Sequence, residues 1–400
     1  MAKETEEHPR LILHNFLSPG LCKELEFIHK SNCTVGYRPN VFSTTLSHLI
    51  ATNCAHLIMP FVPVREKLRE TVEEYFGCQY ELVIEFTGLI SWTKGANIGW
   101  HSDDNRLYLK QRDFAAVCYL NSYNEDFRGG LFHFQDGEPS TIEPMAGDAV
   151  MYTADNRNIH SVDEIIEGER ITLTLWFSRD ASHDEDAKLI SFLSQNSLNS
   201  YLPQPASNNM YWFPPDEALK FQSGFDIRCA RLHMLGLDLY SPYEKICPSA
   251  LNSSYNLLEL LMGSLQIARG VELFDREFVN VMHVLQVVQF YSWKWSTLKA
   301  TEVKEVSMDI KPLSQAQQED INCLKSVVLQ DLQQAETFNK DLNCGKKVQY
   351  LFDWGSFSAA VVEWEAYSCN LHKEMVTSFP LWRKHGSIFS CPVGDSAETL

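Results

Sequence analysis

Apolar positions in the first part of the chain recur at helical spacing and then give way to strand density. Ser18 can cap and Pro19 suits a first helical position, and Leu21, Leu25 and Ile28 behind them form one stripe, which predicts a helix. Leu68, Val72 and Phe76 repeat every fourth residue with Gly77 placed to stop them, which predicts a second helix over 64–76. The run YELVIEFTGLISWTK then brings Val, Ile, Phe, Thr and Trp together as strands do, and short apolar runs divided by turn residues continue to Phe177. The order read from the pattern is helices first, then many strands.

Past Arg179 the pattern changes. DASHDEDAKLISFLSQ reads as an acidic cap and a short helix, and the Asn-, Ser- and Pro-rich residues 196–216 read as a connection. Helical stripes return at Leu257, Leu261 and Leu265, at Phe278, Val281, Met282, Leu285 and Val288, and at Ile321, Leu324, Val328 and Leu332. A last helix is expected from Ser356 to about Met375. No internal repeat of fixed period occurs. The expected division is a unit over 1–180 with its strand core at about 80–178, a connecting segment over 181–250, and a helical region of open role over 251–400.

Composition narrows the function classes. A chain of 400 residues with 44% hydrophobic and 22% charged residues is an ordinary globular sequence, long enough for sizeable cores. The formal net charge of −18 argues against nucleic-acid and anionic-membrane binding, both of which need clustered Lys and Arg. The start MAKETEEHPR lacks the apolar core of a secretory signal, and no apolar run is long enough to span a bilayer, so a cytoplasmic or nuclear setting is expected. Eleven cysteines without a CxxC pair fit reduced, mostly buried thiols.

The candidate chemistry lies between His101 and Phe177. His101 and Asp103 are one residue apart, so on an extended strand both side chains share a face, and His160 can come from a later strand. Two imidazoles and one carboxylate leave positions open on a metal, as non-haem Fe(II) requires, although zinc accepts the same donors. Arg170, on the strand-like ITLTLWF run, offers the planar fork that pairs with a carboxylate. A chelating dicarboxylate with one end on the metal and the other on Arg170 satisfies both features.

The ordered set HSD, YLN, GGLFHF, PMAGD, HSV and GERITLTLWF resembles the Fe(II)- and 2-oxoglutarate-dependent oxygenases, in their prolyl 4-hydroxylase-like branch. The resemblance covers roughly residues 80–178. It implies an α+β fold: a double-stranded β-helix (jelly-roll) core with N-terminal helices, here followed by the mainly α-helical C-terminal region. It implies His101, Asp103 and His160 as iron ligands and Arg170 and Tyr119 as partners of the 2-oxoglutarate carboxylate; the alternation along ITLTLWF separately makes Thr174 a weaker candidate for that pocket. The implied reaction is hydroxylation coupled to decarboxylation of 2-oxoglutarate to succinate and CO2, using O2, with L-ascorbate as reductant and a protein or peptide as substrate. One departure is informative: collagen-type relatives carry Lys where Arg170 stands, which points toward intracellular relatives. A lysyl residue, a small molecule, or a non-catalytic scaffold stay open as alternatives to prolyl hydroxylation, and the oligomeric state is open.

Simpler roles suit the remaining conspicuous residues. Asp104 is read as a solvated neighbour, His133 as structural, Gly129 and Gly130 as a turn or bulge, Trp176 as core and His283 as a buried helical residue. The aromatic run FYSWKW from Phe290 is read by default as helical packing, with a partner surface as the alternative.

Overall fold

The computed structural model describes residues 7–204 (save 33–34, 39, 78–81, 197 and 199–202), 281–298 (save 296), Gln315 and 354–391. Two antiparallel sheets face each other. The larger, eight-stranded sheet runs in the order β1 (Arg10–Leu13), β10 (Ala149–Thr153), β6 (Phe114–Tyr119), β12 (Ile165–Ser178), β4 (Val83–Thr93), β3 (Val41–Thr45) and β2 (Val35–Arg38), with β7 (Phe127–Gly129) paired to β12 off that path. The smaller runs β5 (Ile98–His101), β11 (His160–Val162), β8 (Phe132–Phe134) and β9 (Thr141–Ile142). This is the double-stranded β-helix core of an α+β fold, flanked by helices.

Strand alternation decides what each face of the large sheet meets. Along β12, Ile171, Leu173, Leu175 and Phe177 join one buried cluster with the helices, whereas Trp176 joins a second cluster shared with the small sheet. The same split divides Ala116 and Cys118 from Val117 and Tyr119 on β6, and Met151 from Val150 and Tyr152 on β10. Each fully buried aliphatic side chain on the helix face contributes roughly 1.5–3 kcal/mol. The other face closes over a cavity.

The helix face is covered by α1 (Pro19–Asn32), α2 (Leu46–Ala51), α3 (Val62–Phe76), α4 (Glu185–Gln195), α5 (Val281–Lys294) and α6 (Trp354–His385). Ser18 caps the start of α1 through its hydroxyl, and Gly77, at φ 62°, ends α3 as its position predicted. The run at Phe290 packs inside the molecule: the Phe27 ring stacks on Trp293 at 5.2 Å and meets Phe290 edge-on at 5.6 Å. His283 is buried with its ring edge-on to Trp364. Arg65 on α3 is buried between Asp186, to which it is hydrogen-bonded, and Glu185 at 3.6 Å; Glu185 also accepts the Thr87 N–H and O–H at 3.0 Å each, tying α3 and α4 to β4.

Two expectations change. Strands β1, β2 and β3 and the short helix α2 precede α3, so the chain does not begin with helices alone. The last helix runs on past Met375 to His385, through Pro380, and ends at Gly386 with φ 68°. It continues because Trp382 is fully buried and its indole N–H donates to the Phe389 carbonyl at 2.8 Å, an anchor outside the periodic stripe. The stripes at 257–265 and 321–332 lie outside the described residues. No helix among the described residues is long and apolar enough to cross a membrane.

Candidate active site

Pairing of β5 with β11 places His101 directly opposite His160, with ring centroids 4.3 Å apart. Each imidazole uses Nδ1 on a main-chain carbonyl, His101 on Gly99 at 2.9 Å and His160 on Asn158 at 3.0 Å. A carbonyl only accepts, so Nδ1 carries the proton and Nε2 is left with its lone pair. Both Nε2 atoms lie 4.0 Å from Asp103 Oδ1, and the three donor atoms all fall within 4.8 Å of one another. Burial lowers the His160 pKa, the neighbouring Asp103 opposing it in part, so the ring is held toward the neutral form that binds metals. This donor set fits a divalent metal, and iron by its carboxylate and two imidazoles.

Asp103 is not on the strand, as its spacing from His101 suggested. β5 ends at His101, and the chain turns through Ser102–Asn105, where the Asn105 N–H bonds the Ser102 carbonyl and the Asp104 N–H bonds Ala154. Asp103 is brought to the imidazoles by that turn and by Tyr152, whose hydroxyl donates to Oδ2 at 3.0 Å. Asp104 faces away, accepting from the Ser102 hydroxyl at 2.8 Å and pairing with Lys110 at 2.7 Å; it is a structural acceptor, not a merely solvated neighbour.

His101, Asp103, His160 and Arg170 line one cavity of about 360 Å³, together with Thr172, Thr174 and Trp176 from the inward face of β12. Arg170 is buried, its guanidinium 5.1 Å from the Tyr119 ring and 5.8 Å from Trp92. Arg170 Nε and the Tyr119 O–H are both buried donors that find no acceptor among the described residues. Burial raises the Tyr119 pKa, and the charge of Arg170, within reach of the phenol oxygen as a donor, offsets part of the rise, so the phenol stays protonated, a donor beside a cation. Two buried donors without an acceptor suit a carboxylate. Thr174 lines the cavity, with its hydroxyl 3.4 Å from that of Thr172.

Two residues that spacing did not single out complete the arrangement. Asn121, the last letter of YLN, donates to the Glu169 carbonyl at 2.6 Å and accepts the Ile171 N–H at 2.9 Å, bracketing Arg170 from both sides. Tyr152 was hidden because its partner lies 49 residues upstream and no local pattern marks it. Trp176 is mostly core, as expected, yet it also lines the cavity with Arg112 stacked on it at 4.0 Å. His133 is engaged by Thr141 at 3.0 Å and Asp163 at 2.8 Å, a structural role. Gly129 and Gly130 both adopt positive φ, and a Cβ on Gly129 would meet the Glu164 carbonyl at 2.1 Å, where β7 closes on β12.

Residues 87–178 match the family model of the 2OG-Fe(II) oxygenase superfamily, which bears out the resemblance for that segment. That superfamily is one of oxidoreductases, and its name gives Fe(II) and 2-oxoglutarate as metal and co-substrate. A rat "2-oxoglutarate and iron-dependent oxygenase domain-containing protein 3" is 30% identical over 128 residues, 30% of this chain and 41% of that protein. Chicken "Prolyl 3-hydroxylase 1" is 25% identical over 228 residues, 46% of this chain and 31% of that protein. The chain thus spans less than half the length of these relatives. The solved structure of a Pseudomonas putida prolyl-4-hydroxylase is similar at 18% identity and a TM-score of 0.36, covering 44% of this chain and 94% of that one.

Proposed function

We propose that this chain is an Fe(II)- and 2-oxoglutarate-dependent hydroxylase of a protein side chain, with a prolyl residue as the target. The observation that carries the proposal is the convergence of His101, Asp103 and His160 in one cavity with Arg170, beside two buried donors that lack an acceptor. His101, Asp103 and His160 would hold the iron, which when bound supplies the oxidation of a C–H bond at the expense of 2-oxoglutarate and O2. Arg170 and Tyr119 would fix the distal carboxylate of 2-oxoglutarate, and Asn121 would set the strand position from which Arg170 reaches it. Trp92, Trp176 and Phe132 wall the cavity and exclude water.

A polypeptide substrate is favoured by the mouth of the cavity. Arg106, Tyr108 and Leu109 line it, and Leu107 and Tyr108 between them stand 93% and 73% exposed. Exposed apolar side chains beside a reaction cavity suit a partner larger than a metabolite. The proline assignment follows the relatives' names and the resemblance. On this reading residues 1–180 carry the reaction, α4, α5 and α6 brace the helical layer, L-ascorbate keeps the metal reduced, and the setting is cytoplasmic or nuclear.

Iron-loaded protein should convert 2-oxoglutarate to succinate, and His101→Ala should abolish it. Mass spectrometry of extract proteins treated with active enzyme should show a new oxygen on proline. An oxygen on lysine moves the target residue, and iron binding without 2-oxoglutarate binding or turnover overturns the enzymatic reading in favour of a scaffold.

A further inference from the structure

We propose that Tyr152 is a positioning residue for the metal centre: its hydroxyl occupies Asp103 Oδ2 and so makes Asp103 a one-oxygen ligand. The inference rests on the iron site proposed above and adds to it a residue that is not itself a ligand. The two oxygens of Asp103 have different surroundings. Oδ1 lies 4.0 Å from both His101 Nε2 and His160 Nε2, on the side where the imidazole lone pairs meet, whereas Oδ2 takes the Tyr152 O–H at 3.0 Å.

The tyrosine has little freedom to do otherwise. β10 pairs with β1 and β6 on its two sides, with Tyr152 opposite Arg10 and Ala115, and alternation aims Tyr152 into the inter-sheet space. Its ring is 2% exposed and is held edge-on to Phe134 at 5.5 Å, tilted against Phe132 at 5.9 Å and edge-on to His160 at 5.0 Å. A ring packed on three sides delivers its hydroxyl to one place without loss of rotamer freedom on binding. The hydroxyl also lies 3.4 Å from His160 Nε2, so it stands beside two of the three ligand groups at once.

The consequence is a matter of available positions. A carboxylate free to turn can bind an ion through both oxygens, and on a roughly six-coordinate ion that would leave only two places beside two imidazoles. A chelating 2-oxo acid fills two by itself, and dioxygen needs another. With Oδ2 engaged by Tyr152, Asp103 uses Oδ1 alone and about three places stay open. A core tyrosine that merely satisfied its own hydroxyl would affect folding stability and nothing at the ion.

The test uses Mn(II), whose bound fraction and exchangeable waters are both read by magnetic resonance, on the full-length protein and on Tyr152→Phe. The variant should bind Mn(II) about 10–100-fold more weakly, should carry fewer exchangeable waters on the bound ion, and should lose affinity for 2-oxoglutarate at saturating metal. Equal affinity and an equal water count in the two proteins overturn the inference. Failure of the wild-type protein to bind Mn(II) at all counts instead against the metal site. Should Tyr152→Phe not fold, the wild type carrying a fluorine-labelled tyrosine at 152 replaces it: Zn(II) addition should shift the fluorine resonance, and an unmoved resonance refutes contact with a ligand carboxylate.

Discussion

Replacing Arg65 by Met removes one cation and leaves two carboxylates in place. Arg65 is 2% exposed, and its head group is hydrogen-bonded to Asp186 and 3.6 Å from Glu185. Asp186 keeps the Ile388 N–H at 2.8 Å, and Glu185 keeps the Thr87 N–H and hydroxyl, so neither acid can swing to water without breaking contacts to the C-terminal segment or to β4. Met fills most of the volume, and the loss is therefore electrostatic. Breaking one side of a buried pair costs about 3–5 kcal/mol, which shifts a urea midpoint by roughly 1 M or more.

The pH dependence identifies the cause. Burial already pushes the Glu185 carboxyl up to about 7, against the pull of Arg65, and without Arg65 it rises further. A carboxyl whose folded pKa lies above its unfolded value contributes stability that is complete below the unfolded pKa and is lost as pH rises through the folded one. The deficit of Arg65→Met relative to wild type should therefore be largest near about pH 8 and shrink toward about pH 5, where Glu185 folds protonated. Urea titrations followed by tryptophan fluorescence at both pH values give the two deficits. A deficit below about 1 kcal/mol near pH 8, or one that does not change with pH, refutes the electrostatic account.

Other outcomes follow from named contacts. Burial holds His56 down at about 3 and His48 down at about 4, so the unfolded chain takes up protons below about 6.5 that the folded chain refuses, and stability falls with pH there. For His56, which shares a 3.0 Å hydrogen bond with Ser368, the loss by about pH 5 is about 2 kcal/mol, and His56→Asn should show a shallower acid slope in the same titration. Arg170→Lys should weaken 2-oxoglutarate binding by about 10-fold or more, measured by calorimetry with Zn(II) in the site, because a point charge cannot reproduce a two-pronged contact. Gly168→Ala places a Cβ 2.3 Å from the Asp126 carbonyl at φ 78° and should cost at least about 2 kcal/mol, whereas Gly20→Ala, on α1 with nothing within 4 Å, should be neutral or stabilising in thermal melts.

Much of the site was legible because its chemistry is written in residue types at short or ordered spacings. His101, Asp103, His160 and Arg170 each carry a rare functional group, and the alternation along ITLTLWF told which residues share a face with Arg170. What the sequence did not disclose depends on distant pairing. β1 is four residues long and owes its existence to β10, more than a hundred positions away. The stretch AHLIMPF before α3 is buried throughout, so no periodic contrast marks it as the 3-10 segment it forms. Spacing alone puts Asp103 on a strand, because it cannot reveal a turn closed by one hydrogen bond to Ser102 and one to Ala154.

The fourteen-residue strand β12 has a consequence for how this protein can change. Its odd positions from Ile171 to Phe177 grip the helices and its even positions from Arg170 to Trp176 form the cavity wall, so one segment holds two separate inheritances. A library randomised at the odd positions should fail in expression while its survivors keep their chemistry. One randomised at Thr172, Thr174 and Trp176, with Arg170 kept, should express and diverge in what it accepts. New specificities can then arise along β12 without renegotiating the fold.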